Sequence, residues 1–130
     1  NIILNTNLWN ESIFVLADRI QIQQVLLNLI SNAEQSLNKV THTNKVISIS
    51  SSVFNNEASV KVRDNGTGID ASIMEKLFEP FVTSNNTGMG IGLTISQSII
   101  EDHQGKIWAE NLPESGAEFS FTLKLFAYGK

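Results

Sequence analysis

The sequence predicts an α+β domain, a mostly antiparallel sheet of about five strands with helices on one face. Three observations carry this expectation. Residues 22, 25, 26, 29, 30, 33 and 37 are apolar at three- and four-residue spacing, the pattern of a long amphipathic helix. Stretches 46–54 and 58–63 are rich in β-branched residues and flank Asn55-Asn56, which reads as a β-hairpin. A second helical pattern at Leu93, Ile95, Ile99 and Ile100 then leads into two alternating strands, 106–110 and 119–125.

At 130 residues the chain makes one domain with room for a real core, and 42% hydrophobic residues fit a folded protein rather than a disordered one. A net charge of −4 gives no electrostatic basis for binding nucleic acid or an acidic membrane surface. No apolar run approaches the roughly 20 residues that span a bilayer, and no direct membrane contact is expected. The lack of cysteine excludes disulfides and thiolate zinc sites, and only two histidines speak against a transition-metal site. The chain starts at Asn1 without a signal-peptide pattern, so the expectation is a single domain, 1–130, of a longer protein.

Taken in order, residues 2–4 and 13–16 read as short strands around a turn-rich loop at 5–11. Asp18 is placed to cap the long helix, which runs to about Leu37. After a polar connection at 38–44 comes the hairpin, and Asp64-Asn65-Gly66-Thr67-Gly68-Ile69-Asp70 breaks its second strand at once. Residues 72–78 form a short helix closed by Glu79-Pro80. A glycine-punctuated loop is expected over 81–92. The second long helix ends near His103, with Gly105 as its left-handed cap. The final strands are joined by a turn at 112–116.

Candidate chemistry lies in four places. Gln21, Gln24, Asn28, Asn32 and Gln35 form an amide stripe along the first helix, and Asn28 and Asn32 are one turn apart on one face. Alone, such a stripe is a solvated polar face. In Asp64-Asn65-Gly66-Thr67-Gly68 the glycines allow close approach to the backbone, and Asp64 offers a carboxylate that accepts from an exocyclic amine such as that of adenine. Alone, it is ordinary turn chemistry. Gly88-Met89-Gly90-Ile91-Gly92-Leu93 opens into a helix, where free amides and the positive helix end make a phosphate cradle, or else a hinge. Leu93 stands where the dinucleotide fingerprint needs a third glycine, and no Gly-Lys-Ser/Thr is present. Phe78-Glu79-Pro80-Phe81 reads as a helix end with core aromatics. His42 and His103 read as structural, the latter as a cation suited to a helix C-terminus.

The order of these pieces resembles, over about residues 2–125, the catalytic ATP-binding domain of bacterial two-component sensor histidine kinases, within the gyrase, Hsp90 and mismatch-repair ATPase superfamily. The resemblance implies a two-layer α/β sandwich of the Bergerat type, with a mixed, mostly antiparallel sheet of about five strands on three helices. It implies ATP and Mg²⁺ as cofactors. Asn32 would hold the Mg²⁺ that bridges the phosphates, with Asn28 supporting it. Asp64 would read the adenine amine, and Gly66 and Gly68 would let the base approach. Phe78 and Phe81 would bracket the start of the ATP lid, Gly88, Gly90 and Gly92 would close over the phosphates, and Leu93 would begin the helix beneath. Gln35, Ile69, Thr87, Met89 and Thr122 complete the implied nucleotide-binding set.

In hydrolysing members of the superfamily a Glu four residues before the metal-binding Asn activates water. Here that position is Asn28, which takes no proton, so phosphoryl transfer is expected over hydrolysis. The family's lysines three residues after that Asn and beyond the Phe-x-Pro-Phe stretch are replaced by Gln35 and Asn85, with Lys39 one turn away. The phosphoacceptor His belongs to a separate helical dimerisation domain, and neither His42 nor His103 resembles it. The implied partners are that domain and a response-regulator receiver domain, and the implied setting is cytoplasmic. The alternatives are an anti-sigma-type serine kinase, against which Asn28 weighs, and a degenerate nucleotide-binding or interaction domain without transfer.

Overall fold

The computed structural model describes residues 1–42, 44–79 and 89–126, with the backbone alone for 89–91. Strands β1 (Ile2–Asn7), β2 (Lys45–Phe54), β3 (Glu57–Asp64), β4 (Ile107–Asn111) and β5 (Ala117–Lys124) form one five-stranded sheet in the order β1-β2-β3-β5-β4. β1 runs parallel to β2 and every other pairing is antiparallel, which is the mixed sheet expected. Helices α1 (Arg19–Asn38) and α3 (Met89–Asp102) cover one face, and the short α2 (Ala71–Met74) follows the break in β3.

The core lies between these layers. Val25, Leu29, Ala33 and Leu37 form the inward stripe of α1 and meet Ile47, Val62, Phe119, Phe121 and the Leu93, Ile99 and Ile100 stripe of α3. Alternation along the strands sends the next residues outward. There Arg63 and Lys61 reach Glu118 at 2.7 and 3.4 Å, and Lys61 lies 5.8 Å from the centre of the Trp108 ring. Burial pushes the Glu118 carboxyl up, but the Arg63 and Lys61 charges outweigh it and hold it below its ordinary value.

Local chemistry explains the boundaries. Asp18 Oδ1 accepts from the amides of Ile20 and Gln21 and caps α1 as expected. Asn55 and Asn56 both have positive φ, 56° and 66°, the two-residue turn that matches strand twist in a hairpin.

Three expectations are corrected. Residues 5–7 extend β1 instead of forming a loop, because each pairs with β2 out to Asn7 opposite Ser50. Residues 13–16 form no strand. They alternate in burial, and the Phe126 amide donates to the Phe14 carbonyl at 2.7 Å, but they join no strand pairing among the described residues. At the end of α3 the left-handed residue is Gln104 (φ 63°), not Gly105. Gly105 N–H bonds to Ile100 C=O and Gln104 N–H to Glu101 C=O, both at 2.9 Å, which is the Schellman arrangement with Gly105 one place further on. Gly105 lacks a side chain because a Cβ there would meet the Thr122 carbonyl oxygen.

Candidate nucleotide site

One face of α1 carries the site. Asn28, Asn32 and Ser36 succeed one another at four-residue steps, each about 6 Å along the axis. At the first, Asn28 Nδ2 donates to Gly92 O and Ser96 Oγ, both at 3.1 Å, while its Oδ1 accepts from Gln24 Nε2 at 3.4 Å. Asn28 thus holds the start of α3 against α1. At the second, Asn32 is 8% exposed and its Oδ1 has no hydrogen-bond partner among the described residues. A buried amide oxygen without a partner carries a desolvation cost of about 1–3 kcal/mol, which a cation or donor from a ligand removes. A neutral hard oxygen of this kind suits Mg²⁺, which takes few protein ligands and completes its shell with phosphate and water. The residues present therefore fit the ion.

At the third step α1 meets the turn after β3. Asp64, 3% exposed, accepts at Oδ1 from Gly66 N–H at 2.8 Å and Ser36 Oγ at 3.3 Å. Burial pushes the Asp64 carboxyl above its ordinary value, and donors from Gly66, Ser36 and Ala117 oppose that shift without cancelling it. The turn itself is fastened from two sides. Asn111 accepts the Ile69 amide at 2.7 Å and donates to the Ile69 carbonyl at 2.9 Å, while Ser115 Oγ donates to the Gly66 carbonyl at 2.7 Å. Gly116 packs against the Asp64 backbone so closely that a Cβ would lie 2.0 Å from its carbonyl oxygen.

The family model for histidine kinase-, DNA gyrase B- and HSP90-like ATPases matches residues 17–127. The chain belongs to this ATPase family. Sensor protein FixL of Bradyrhizobium diazoefficiens is 44% identical over 109 residues, 84% of this chain and 21% of that protein. The signal transduction histidine-protein kinase AtoS of Escherichia coli K12 is 38% identical over 120 residues, 92% of this chain and 19% of that protein. The catalytic domain of histidine kinase ThkA matches with a TM-score of 0.81 at 40% identity, covering 95% of this chain and 80% of that one. ThkA in complex with response regulator protein TrrA matches at 0.79 with 36% identity, covering 99% of this chain and 36% of that one. The ATPase domain thus spans about a fifth of the length of the curated relatives it matches.

Within the ATPase domain the expected residues sort by place. Asn28, Asn32, Asp64, Gly66, Gly68 and Ile69 gather along α1 and the turn facing it. Gly92 joins them, its Cβ position 3.7 Å from Asn28 Cγ, and Leu93 is buried in the core at 3% exposure. Of the expected loop at 81–92, residues 81–88 lie outside the described residues, and only its end at 89–92 and the helix start at Leu93 are corrected. α3 begins at Met89, so Gly90 and Gly92 lie in its first turn. Phe81, Thr87 and Gly88 lie outside the described residues, as does the side chain of Met89. Thr94 Oγ1 donates to the Phe78 carbonyl at 2.8 Å and fixes α3 to the end of the segment after α2.

Thr122 is not brought to the site. It pairs with Ser59 toward the far end of β3 from Asp64, and its hydroxyl accepts the Lys106 amide at 3.2 Å. His103 is structural as expected. Asp18 N–H donates to its Nε2 at 3.1 Å, and its Nδ1 lies 2.7 Å from the Ile99 carbonyl oxygen. Sequence reasoning missed Ser36, Asn111, Ser115 and Gly116. Only Ser36 left a signal, as the next step of the Asn28–Asn32 spacing.

Proposed function

We propose that the domain binds Mg·ATP and donates the γ-phosphoryl group to a histidine on a separate dimerisation and phosphoacceptor domain of a longer sensor kinase. The observation that carries the reading is the buried Asn32 Oδ1, without a partner among the described residues and midway between Asn28 at the α3 end and the Asp64 turn. Asp64 takes the adenine amine, Gly66 and Gly68 admit the base, and the start of α3 faces the phosphates with its free amides. When bound, Mg²⁺ neutralises phosphate charge and aligns the transferred group. Asn28 supports transfer over hydrolysis: it has no basic atom, and its amide hydrogens are committed to Gly92 and Ser96. The chain's own work is positioning and exclusion of water, and the proton acceptor comes with the histidine domain.

The phosphoryl group passes next to a response-regulator receiver domain, in keeping with the ThkA–TrrA complex. ATP as donor puts this work in the cytoplasm. Among the described residues no helix is long and apolar enough to cross a membrane.

Calorimetric titration with a non-hydrolysable ATP analogue, with and without Mg²⁺, tests the site. Binding should require Mg²⁺ and Asp64 and weaken in Asn32→Asp. A labelled γ-phosphoryl should move to an added acceptor domain and not to the chain itself. Absence of nucleotide binding would replace this reading with that of an interaction domain.

A further inference from the structure

Ser36 stands one turn beyond Asn32, and the glycine turn closes directly on its hydroxyl. Ser36 Oγ donates to Asp64 Oδ1 at 3.3 Å and accepts the Thr67 amide at 3.1 Å, with Thr67 Oγ1 at 3.5 Å. A Cβ on Gly66 would come within 2.3 Å of that oxygen, so the turn approaches Ser36 as closely as glycine permits. Gly66 N–H reaches the same Oδ1 at 2.8 Å, so a helix donor and a turn donor fix one carboxylate oxygen between them.

We propose that Ser36 is a positioning residue for base selection, holding Asp64 so that its carboxylate accepts the exocyclic amine of adenine. This rests on the nucleotide-binding reading above. A carboxylate has about four lone-pair sites. Gly66 and Ser36 take two, both on Oδ1, which leaves room on the carboxylate for a donor on the ligand. A base that presents a carbonyl at that position meets an acceptor and is rejected. Each donor that favours the ionised carboxylate also opposes the effect of burial, so loss of Ser36 makes Asp64 easier to protonate.

The test compares a non-hydrolysable ATP analogue with the matching analogue of purine riboside triphosphate, which lacks the amine, on wild type and Ser36→Ala. Wild type should prefer the ATP analogue. Ser36→Ala should weaken that analogue about tenfold, the loss of one hydrogen bond to a charged group, and leave the amine-free analogue unchanged. The acid limit of ATP-analogue binding should move to higher pH in the variant. Equal weakening of both analogues, or an unmoved acid limit, would assign Ser36 a merely structural role and overturn the inference while the nucleotide reading stands. Wild type that binds both analogues equally would overturn the adenine reading itself.

Discussion

Replacing Gly116 by Ala is expected to damage the domain more than the same change at Gly68, although both glycines have positive φ, 96° and 80°. The left-handed backbone alone costs an alanine about 1–2 kcal/mol at either position. At Gly68 the nearest atom to the new Cβ is Asn111 Oδ1 at 3.0 Å, the end of a side chain that can move. At Gly116 it is the Asp64 carbonyl oxygen at 2.0 Å, with Asn65 Cα at 2.8 Å, and no rotamer change relieves a contact with backbone. The 112–116 turn must then shift, which sacrifices the Leu112 N–H to Gly116 C=O bond and the Ser115 bond to Gly66. At about 1 kcal/mol each, these bring the expected loss for Gly116→Ala to about 3–4 kcal/mol, against about 1–2 for Gly68→Ala. One kcal/mol moves the melting temperature of a domain this size by about 3–5 °C, so the two variants should separate by roughly 5–10 °C in calorimetry. Equal melting temperatures would show that close packing of the two turns contributes nothing beyond φ.

Leu29 is fully buried, and Leu29→Ala should cost about 2–5 kcal/mol in urea unfolding. Asn28→Ala should cost about 1–3 kcal/mol by freeing Gly92 O and Ser96 Oγ, seen as a lower urea midpoint. The raised Asp64 pKa means the native state disfavours the charge: its contribution is present below the unfolded value and is lost as pH rises through the folded one. Asp64→Asn should therefore be at least as stable as wild type at pH 7 while losing ATP-analogue binding, and the stability gap should narrow as pH falls. Glu118 has the opposite sign, with stability present above its unfolded pKa and lost as pH falls through the lowered folded one. Because Arg63 and Lys61 are substantially exposed, Glu118→Gln should cost no more than about 1 kcal/mol near neutral pH, by urea unfolding at pH 7 against pH 4.

What could be read from the sequence was what is decided within one element or one turn. Asp18 announces α1, the Asn55-Asn56 pair announces the hairpin, and the apolar stripe at 25, 29, 33 and 37 announces the core. What could not be read depends on distant partners. Residues 13–16 have strand-like alternation but belong to no strand pairing among the described residues, whereas the polar Asn5 and Asn7 become strand because β2 pairs with them. Gly105 was legible as a needed glycine, but the need arises from Thr122, not from the helix end. In the site, Asn32 and Asp64 stand out within short motifs. Ser36 acts on Thr67 across 31 residues and Asn111 on Ile69 across 42, distances at which a sequence shows no spacing rule.

The face of α1 has a consequence for how such a site changes over time. Asn28, Asn32 and Ser36 sit on separate rungs of one rigid rod, and each stands differently: Asn28 holds α3, Ser36 holds the turn after β3, and the Asn32 oxygen has no partner among the described residues. A substitution on one rung leaves the others in register, so the contact with α3, the open oxygen and the contact with the turn can be retuned one at a time. An insertion cannot do this. One added residue between 28 and 36 would rotate everything beyond it by about 100° and point the lower rungs away from the turn after β3. The helix therefore makes the site tolerant of exchange and intolerant of length.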